Sequence, residues 1–235
     1  MRYHLKDYKV LNGRHERKFV IPEGYHNSIE NLIKLIHGQF SEIYVPRFVN
    51  NIYFDSLNFK DYSETINGIS NRQKIRIRWY GDFFGLIKKP VLEFKQKKGI
   101  HVKKITRLFP PFEIRPSTKL RTTLRNIYAK NENVFNYIKN RVPTTINRYK
   151  RQYFLSKNKN FRITIDTNQH FTDPKNIQTP KKMNIFESQP TIIELKYHPR
   201  WEKDVRGITN ALPFRLSKNS KYVNSIESLL MVKCR

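Results

Sequence analysis

The chain has 235 residues, 38% of them hydrophobic and 13% aromatic, enough for a hydrophobic core and too many for a disordered chain. Lysine and arginine number 46 against 19 acids, a formal charge of +27, and a field of that size draws polyanions: nucleic acid, acidic membrane or phosphate compounds. A single cysteine, Cys234, excludes both a disulfide framework and a cysteine zinc site. The opening MRYHLKDYKVLNG has no signal-peptide core, and no stretch approaches the roughly 18 apolar residues of a membrane span. A soluble, cytoplasmic protein folded as one domain over residues 1–235 is expected.

Period-2 alternation returns along the chain. RHERKFVI puts Arg14, Glu16 and Lys18 on one face and Phe19 and Ile21 on the other. A helix follows in NSIENLIKLI, where Ile29, Leu32, Ile33 and Ile36 share a face and Asn27 or Ser28 is the expected N-cap. NNIYFD alternates Ile52 and Phe54 with Tyr53 and Asp55, and RQKIRIRWYG sets Arg72, Lys74, Arg76 and Arg78 against Ile75, Ile77 and Trp79. VLEFKQK opposes Glu93, Lys95 and Lys97 to Leu92 and Phe94. HVKKITRLF is a strand of ambiguous register, with Lys103 sharing a face with Arg107 and Lys104 with Thr106.

A second helix is predicted from about Ser117 to Arg141, carrying Leu120, Leu124, Ile127, Tyr128, Phe135 and Ile138. YKRQYF then aligns Tyr149, Arg151 and Tyr153, FRITID sets Arg162, Thr164 and Asp166 against Phe161, Ile163 and Ile165, and TIIELKY sets Glu194 and Lys196 against Ile193, Leu195 and Tyr197. Residues 171–190 read as a surface loop. A third helix runs from about Ser220 to Met231 on Val223, Ile226, Leu229 and Leu230.

Pooling one face of each strand collects ten cations, Arg14, Lys18, Lys74, Arg76, Arg78, Lys95, Lys97, Arg151, Arg162 and Lys196, against four acids, Glu16, Glu93, Asp166 and Glu194. An open sheet could turn such a face to water. Solvated faces, however, mix both signs with Thr, Ser and Asn, whereas here cations recur on strand after strand. Closing the sheet with the charged face inside removes its edges and makes a wet cationic tunnel. Unbalanced interior cations require an anionic ligand, and phosphate chains suit guanidinium groups because each clasps two oxygens. The few glutamates could then hold a divalent cation bridging phosphate oxygens.

These motifs occur in the order found in VTC domains. RHERKFVI, VNNIYFDSLNFKDY, GISNRQKIRIRWYG, VLEFKQKKG, RYKRQYF, FRITID, IIELKY and NSKYV span Arg14 to Ile226, and the chain thereby resembles the polyphosphate polymerase modules of the CYTH-like triphosphate tunnel metalloenzymes. The resemblance implies an α+β fold, an eight-stranded antiparallel β-barrel tunnel with a charged interior flanked by helices. It implies ATP and polyphosphate as partners, Mn²⁺ or Mg²⁺ as cofactor, and transfer of the ATP γ-phosphate onto a polyphosphate chain. Arg76, Arg78, Lys95 and Arg151 are the expected catalytic cations. Arg14, Lys18, Lys74, Lys97, Lys104, Arg162, Lys196, Ser220 and Lys221 are expected to bind phosphate, with Lys103 left open as the alternative to Lys104. Glu194 is the metal ligand the resemblance implies, with Glu16 and Glu93 as further candidates. Hydrolase branches carry a glutamate where Arg14 stands, which points to the VTC branch. Membrane or regulatory partner proteins are further possibilities.

Three rival readings follow from the same residues. A hydrolase of this fold would split tripolyphosphate or a nucleotide or RNA 5′-triphosphate. A polyphosphate-binding module without catalysis would use the same cations. A nucleic-acid-binding protein would draw on the charge and the 13 Tyr and 16 Phe, but the aromatics fall mostly on presumed core faces and no nucleic-acid module is spelled out. The scattered histidines, among them His15, His101 and His198, form no HExxH, and no P-loop or GxGxxG is present.

Overall fold

The alternating segments become strands of one sheet. In the computed structural model, which describes residues 14–22, 24–25, 28–99, 101–131, 134, 136, 138–175, 177 and 190–233, ten strands are β1 (His15–Ile21), β2 (Ser41–Asp55), β3 (Arg72–Tyr80), β4 (Gly85–Ile87), β5 (Val91–Lys98), β6 (His101–Leu108), β7 (Phe112–Ile114), β8 (Val142–Leu155), β9 (Phe161–Thr172) and β10 (Thr191–Tyr197). Five helices are α1 (Ile29–Leu35), α2 (Lys60–Ile66), α3 (Leu120–Ala129), α4 (Val205–Asn210) and α5 (Lys221–Lys233). Eight strands pair in the order β1-β10-β9-β8-β2-β3-β5-β6, and β4 pairs with β7 beside them. Every pairing is antiparallel. The sheet curls into a half-barrel far enough for Lys95 on β5 to come within 3.9 Å of Glu16 on β1, six places away in the strand order.

The apolar positions of the strands fall on the convex side, where helices cover them. Ile75, Ile77, Trp79, Leu92, Phe94 and Ile105 pack with Leu120, Leu124 and Tyr128 of α3. Phe19, Ile21, Ile163, Ile165, Ile193 and Leu195 pack with Ile29 and Ile33 of α1 and Val205 and Ile208 of α4. Burial of each such side chain contributes about 1.5 to 3 kcal/mol. The charged residues at alternate positions are left facing the concave side.

Several local readings are corrected by the structure. β2 begins at Ser41, because its first half, SEIYVPRF, is largely exposed and carries Pro46, so it offers no buried period. The helix expected over 117–141 stops at Ala129: the Asn131 side chain donates to the Ile127 carbonyl at 2.8 Å and its N–H to Tyr128 at 3.0 Å, which ends the α-ladder. Helical backbone returns at Val134, Asn136 and Ile138. Ser28 occupies the N-cap position of α1, but its hydroxyl donates backward to the Tyr25 carbonyl instead of capping. Short α2, α4, β4 and β7 carry too few residues for a period to register. Asn27, Phe135, residues 178–189 of the expected loop and Cys234 lie outside the described residues. No helix among the described residues is long and apolar enough to cross a membrane.

Asp55, fully buried at the end of β2, joins three elements. Its Oδ1 accepts the N–H of Ser56 at 2.7 Å and of Asp61 at 2.9 Å. Its Oδ2 accepts the N–H of Tyr62 at 2.9 Å and the hydroxyl of Tyr222 on α5. Arg141 bridges Asp55, at 3.5 Å, and Asp61. The carboxylate thus satisfies the open amides at the start of α2 and anchors the last helix. Asp55→Ala leaves Arg141 and several donors under-paired in the interior, and chemical denaturation should register a loss of about 3 kcal/mol or more. Burial pushes the Asp61 carboxyl up to about 6, against the pull of Arg141. A raised folded-state pKa stabilises below the unfolded value and loses that stability as pH climbs through the folded one. The Asp61 contribution therefore falls between about pH 4 and pH 6, and Asp61→Asn should flatten stability across that window.

Candidate functional site

The concave face gathers charge around three acidic centres. At the first, Glu93 on β5 accepts from Arg76 through Nε at 2.8 Å and Nη2 at 2.6 Å, and from Lys104 at 2.7 Å, with Arg78 at 3.7 Å. The register places Thr106 opposite Glu93 and Lys104 opposite Lys95, so Lys104 faces inward and Lys103 outward. Burial alone would raise the Glu93 carboxyl, but Arg76, Arg78 and Lys104 hold it far below the usual range.

The second centre is Asp166 on β9, fully buried. Arg151 on β8 clasps both its oxygens, at 2.5 and 2.6 Å, and Lys221 at the start of α5 reaches Oδ2 at 2.6 Å. Against the effect of burial, Arg151 and then Lys221 lower this carboxyl. Asp166 is therefore a counter-ion for two cations, in line with a structural acid.

The third centre pairs Glu194 on β10 with Glu16 on β1, two acids that share Lys196. Glu194 meets Lys196 at 2.9 Å and Arg151 at 3.5 Å. Glu16 meets Lys18 at 3.0 Å and Lys95 and Lys196 at 3.9 Å each. Despite burial, Lys196 and then Lys18 drive Glu194 well below its ordinary value. Both carboxylates are hard oxygen donors suited to Mg²⁺ or Mn²⁺, ions that take one or two protein carboxylates and fill the other positions with phosphate oxygens and water. Among the described residues no group of three or more His, Cys, Asp or Glu assembles that could hold a metal ion.

Lys74 differs from its neighbours. Its amine donates to Ser220 Oγ at 2.8 Å, and among the described residues no carboxylate lies within ion-pair distance. Burial, then Lys18, Lys95, Arg72 and Arg76, push its amine down to about 7. Ser220 also sits over the start of α5, where it lies 3.4 Å from the N–H of Val223. Of the expected site residues, the structure brings together Glu16, Lys18, Lys74, Arg76, Arg78, Glu93, Lys95, Lys104, Arg151, Glu194, Lys196, Ser220 and Lys221. Arg14 lies exposed before β1, Arg162 is exposed on β9, and Lys97 sits one residue from the end of β5. They stand at strand ends, outside the three clusters.

Polar residues also complete the face. Asn51 accepts from Arg78 Nε at 2.9 Å and donates to Asn147 at 2.8 Å, fixing the guanidinium. Tyr53 accepts from Arg76 at 3.0 Å. Buried Tyr149 has its ring 5.1 Å from the Arg151 guanidinium and 4.8 Å from the Lys221 amine. Thr164 Oγ1 and Asn147 Nδ2 are buried with no hydrogen-bond partner among the described residues. Their period-2 placement was visible in the sequence, but they carry no charge to single them out.

The family model described as the VTC domain matches residues 13–230, and the chain belongs to that family. No curated protein matches the sequence. Among solved structures, a candidate adenylate cyclase of Vibrio parahaemolyticus is similar over 91% of this chain and 98% of its own, with TM-score 0.54 and 11% identity. A candidate adenylate cyclase of Bacillus halodurans is similar over 88% and 95%, with TM-score 0.50 and 11% identity. At that identity the likeness is one of fold alone.

A polyanion entering this face returns the proton to Lys74, because phosphate stabilises the ammonium. Tripolyphosphate affinity should therefore fall as pH rises through about 7, and Lys74→Arg should flatten that part of the profile in a titration series.

Proposed function

We propose that this concave face is the phosphoryl-transfer site of an ATP-dependent polyphosphate polymerase. The observation that carries the reading is the surplus of positive charge: eight cations (Lys18, Arg76, Arg78, Lys95, Lys104, Arg151, Lys196, Lys221) meet four carboxylates (Glu16, Glu93, Asp166, Glu194), and a ninth, Lys74, stands among them on the Ser220 hydroxyl. A solvated surface has no need of such an excess, and a phosphate chain neutralises it. Membership of the VTC family and the CYTH-like fold support the same reading.

Arg76, Arg78 and Lys95 hold the β- and γ-phosphates, and Arg151 holds the transferring group. Lys18, Lys74, Lys104, Lys196, Ser220 and Lys221 guide the chain, and Arg14, Lys97 and Arg162 attract it at the strand ends. Glu194 with Glu16 would hold the divalent ion, while Glu93, enclosed by cations, fixes Arg76 and Arg78. When bound, Mg²⁺ or Mn²⁺ supplies charge neutralisation on the phosphate oxygens. A terminal oxygen of the acceptor chain attacks the γ-phosphorus, the bond to the bridging oxygen breaks, and ADP leaves with the electron pair. Since the acceptor is already anionic, no protein nucleophile is required; the cations align donor and acceptor and stabilise the charge of the transition state.

Purified protein incubated with ATP and Mn²⁺ should, by phosphorus NMR, build mid-chain phosphate signal in step with ADP. Free phosphate with ADP would make it a hydrolase. Binding of polyphosphate without turnover would make it a receptor. Arg76→Ala should lower turnover by about 100-fold or more while the fold persists by circular dichroism, and undiminished metal-dependent turnover in Glu194→Gln would remove Glu194 from the ligand set.

A further inference from the structure

One mouth of the concave face ends in aromatic rings instead of cations. Past Arg78, the next residue of β3 on this face is Tyr80; past Arg151, the next on β8 is Tyr153. β2 supplies Tyr44, opposite Tyr153, and Arg47, opposite Arg151, so all four side chains share the charged face. Two register shifts flank Tyr44, between Glu42 and Tyr44 and between Tyr44 and Arg47, and irregularities of this kind re-aim side chains at a sheet's rim.

The four side chains touch. Tyr44 and Tyr153 meet edge to face with centroids 5.5 Å apart. The Arg47 guanidinium lies 4.3 Å from the centre of Tyr80, 5.1 Å from Tyr153 and 5.4 Å from Tyr44. Tyr44 is 54% and Tyr80 47% exposed, so the cluster is open to a ligand. Inward it is continuous with the phosphate site: the Arg151 guanidinium lies 6.0 Å from the Tyr153 ring.

A linear phosphate chain has no use for rings, whereas a nucleotide does. Two strand residues span about 6.6 Å, comparable to the reach from an inner phosphate across ribose to the base. The opposite end of β3 and β5, where Arg72 faces Lys97 and Lys74 faces Lys95, is cationic. We propose that Tyr44, Arg47, Tyr80 and Tyr153 form a nucleobase platform that seats the donor nucleotide with its base at this mouth, leaving the cationic end to the acceptor chain. The inference rests on the nucleoside triphosphate reading above. Tyrosine faces and a guanidinium stack on any base, so adenine and guanine nucleotides should bind within a few-fold of each other.

Isothermal titration of the full chain with β,γ-imido-ATP and, separately, with inorganic tripolyphosphate tests this. In the Tyr44→Ala/Tyr80→Ala variant, affinity for the nucleotide should fall about 10-fold or more, with tripolyphosphate affinity unchanged. The unchanged tripolyphosphate binding doubles as the control for folding, and Tyr44→Phe/Tyr80→Phe should retain nucleotide affinity. Equal losses for both ligands, or no loss for either, would overturn the platform while leaving the phosphate site standing. If wild-type protein bound tripolyphosphate but not the nucleotide, the platform and the ATP donor would fall together; if it bound neither ligand, the phosphate site would fall with them.

Discussion

Repulsion among cations crowded on the concave face is the constraint to which the rest of the structure answers. Like charges within a few ångströms oppose the curl that brings them together, and that opposition is met in two ways. Four carboxylates are shared: Glu93 serves three cations and Asp166 two, so each acid's single charge eases the repulsion among several cations at once. The remaining opposition is borne by the convex side, where Ile, Leu, Phe and Trp side chains bury against α1, α3 and α4. Lys74 shows where this compensation ends, with a hydroxyl for a partner and an amine pushed down to about 7.

Stability and function meet at the last helix. Asp55 holds Tyr222 through its hydroxyl, and Tyr222 stacks on Tyr53 with centroids 5.1 Å apart. The residues just before Tyr222 are Ser220 and Lys221, which reach Lys74 and Asp166. A carboxylate outside the charged clusters thereby sets how far the helix projects into them. Tyr53 closes the circuit by accepting from Arg76.

Much of the fold was legible. The period-2 pattern marks both faces of β1, β3, β5, β9 and β10, because in a strand the side of each residue follows from parity alone. The first half of β2 was illegible because an exposed, bulged, proline-bearing strand has no apolar period. The helix over 117–141 was over-extended because Phe135 and Ile138 continue the spacing, and the capping bonds of Asn131 do not register in a hydrophobic period. Within the site, charge made the cations and acids visible, whereas Asn51 and Asn147 carry none and passed unmarked, and Thr164 was placed on the charged face without a role. The ring cluster at the mouth was hidden as well: Tyr44 lies in the unread half of β2, and Arg47 follows the irregular stretch.

What the sequence determined by itself is the chemistry of each face of the legible strands β1, β3, β5, β8, β9 and β10: cations and a few acids on one side, mostly apolar residues on the other. That information is local, since neighbouring residues in a strand must point opposite ways. Which cation meets which acid was decided only by the tertiary structure. Lys221 and Asp166 are 55 residues apart, Lys95 and Glu16 are 79 apart, and no periodicity reaches that far. Curling of the sheet, together with the docking of α5 on Asp55, brings them together, and the same curl turned the face selected by alternation inward instead of toward water.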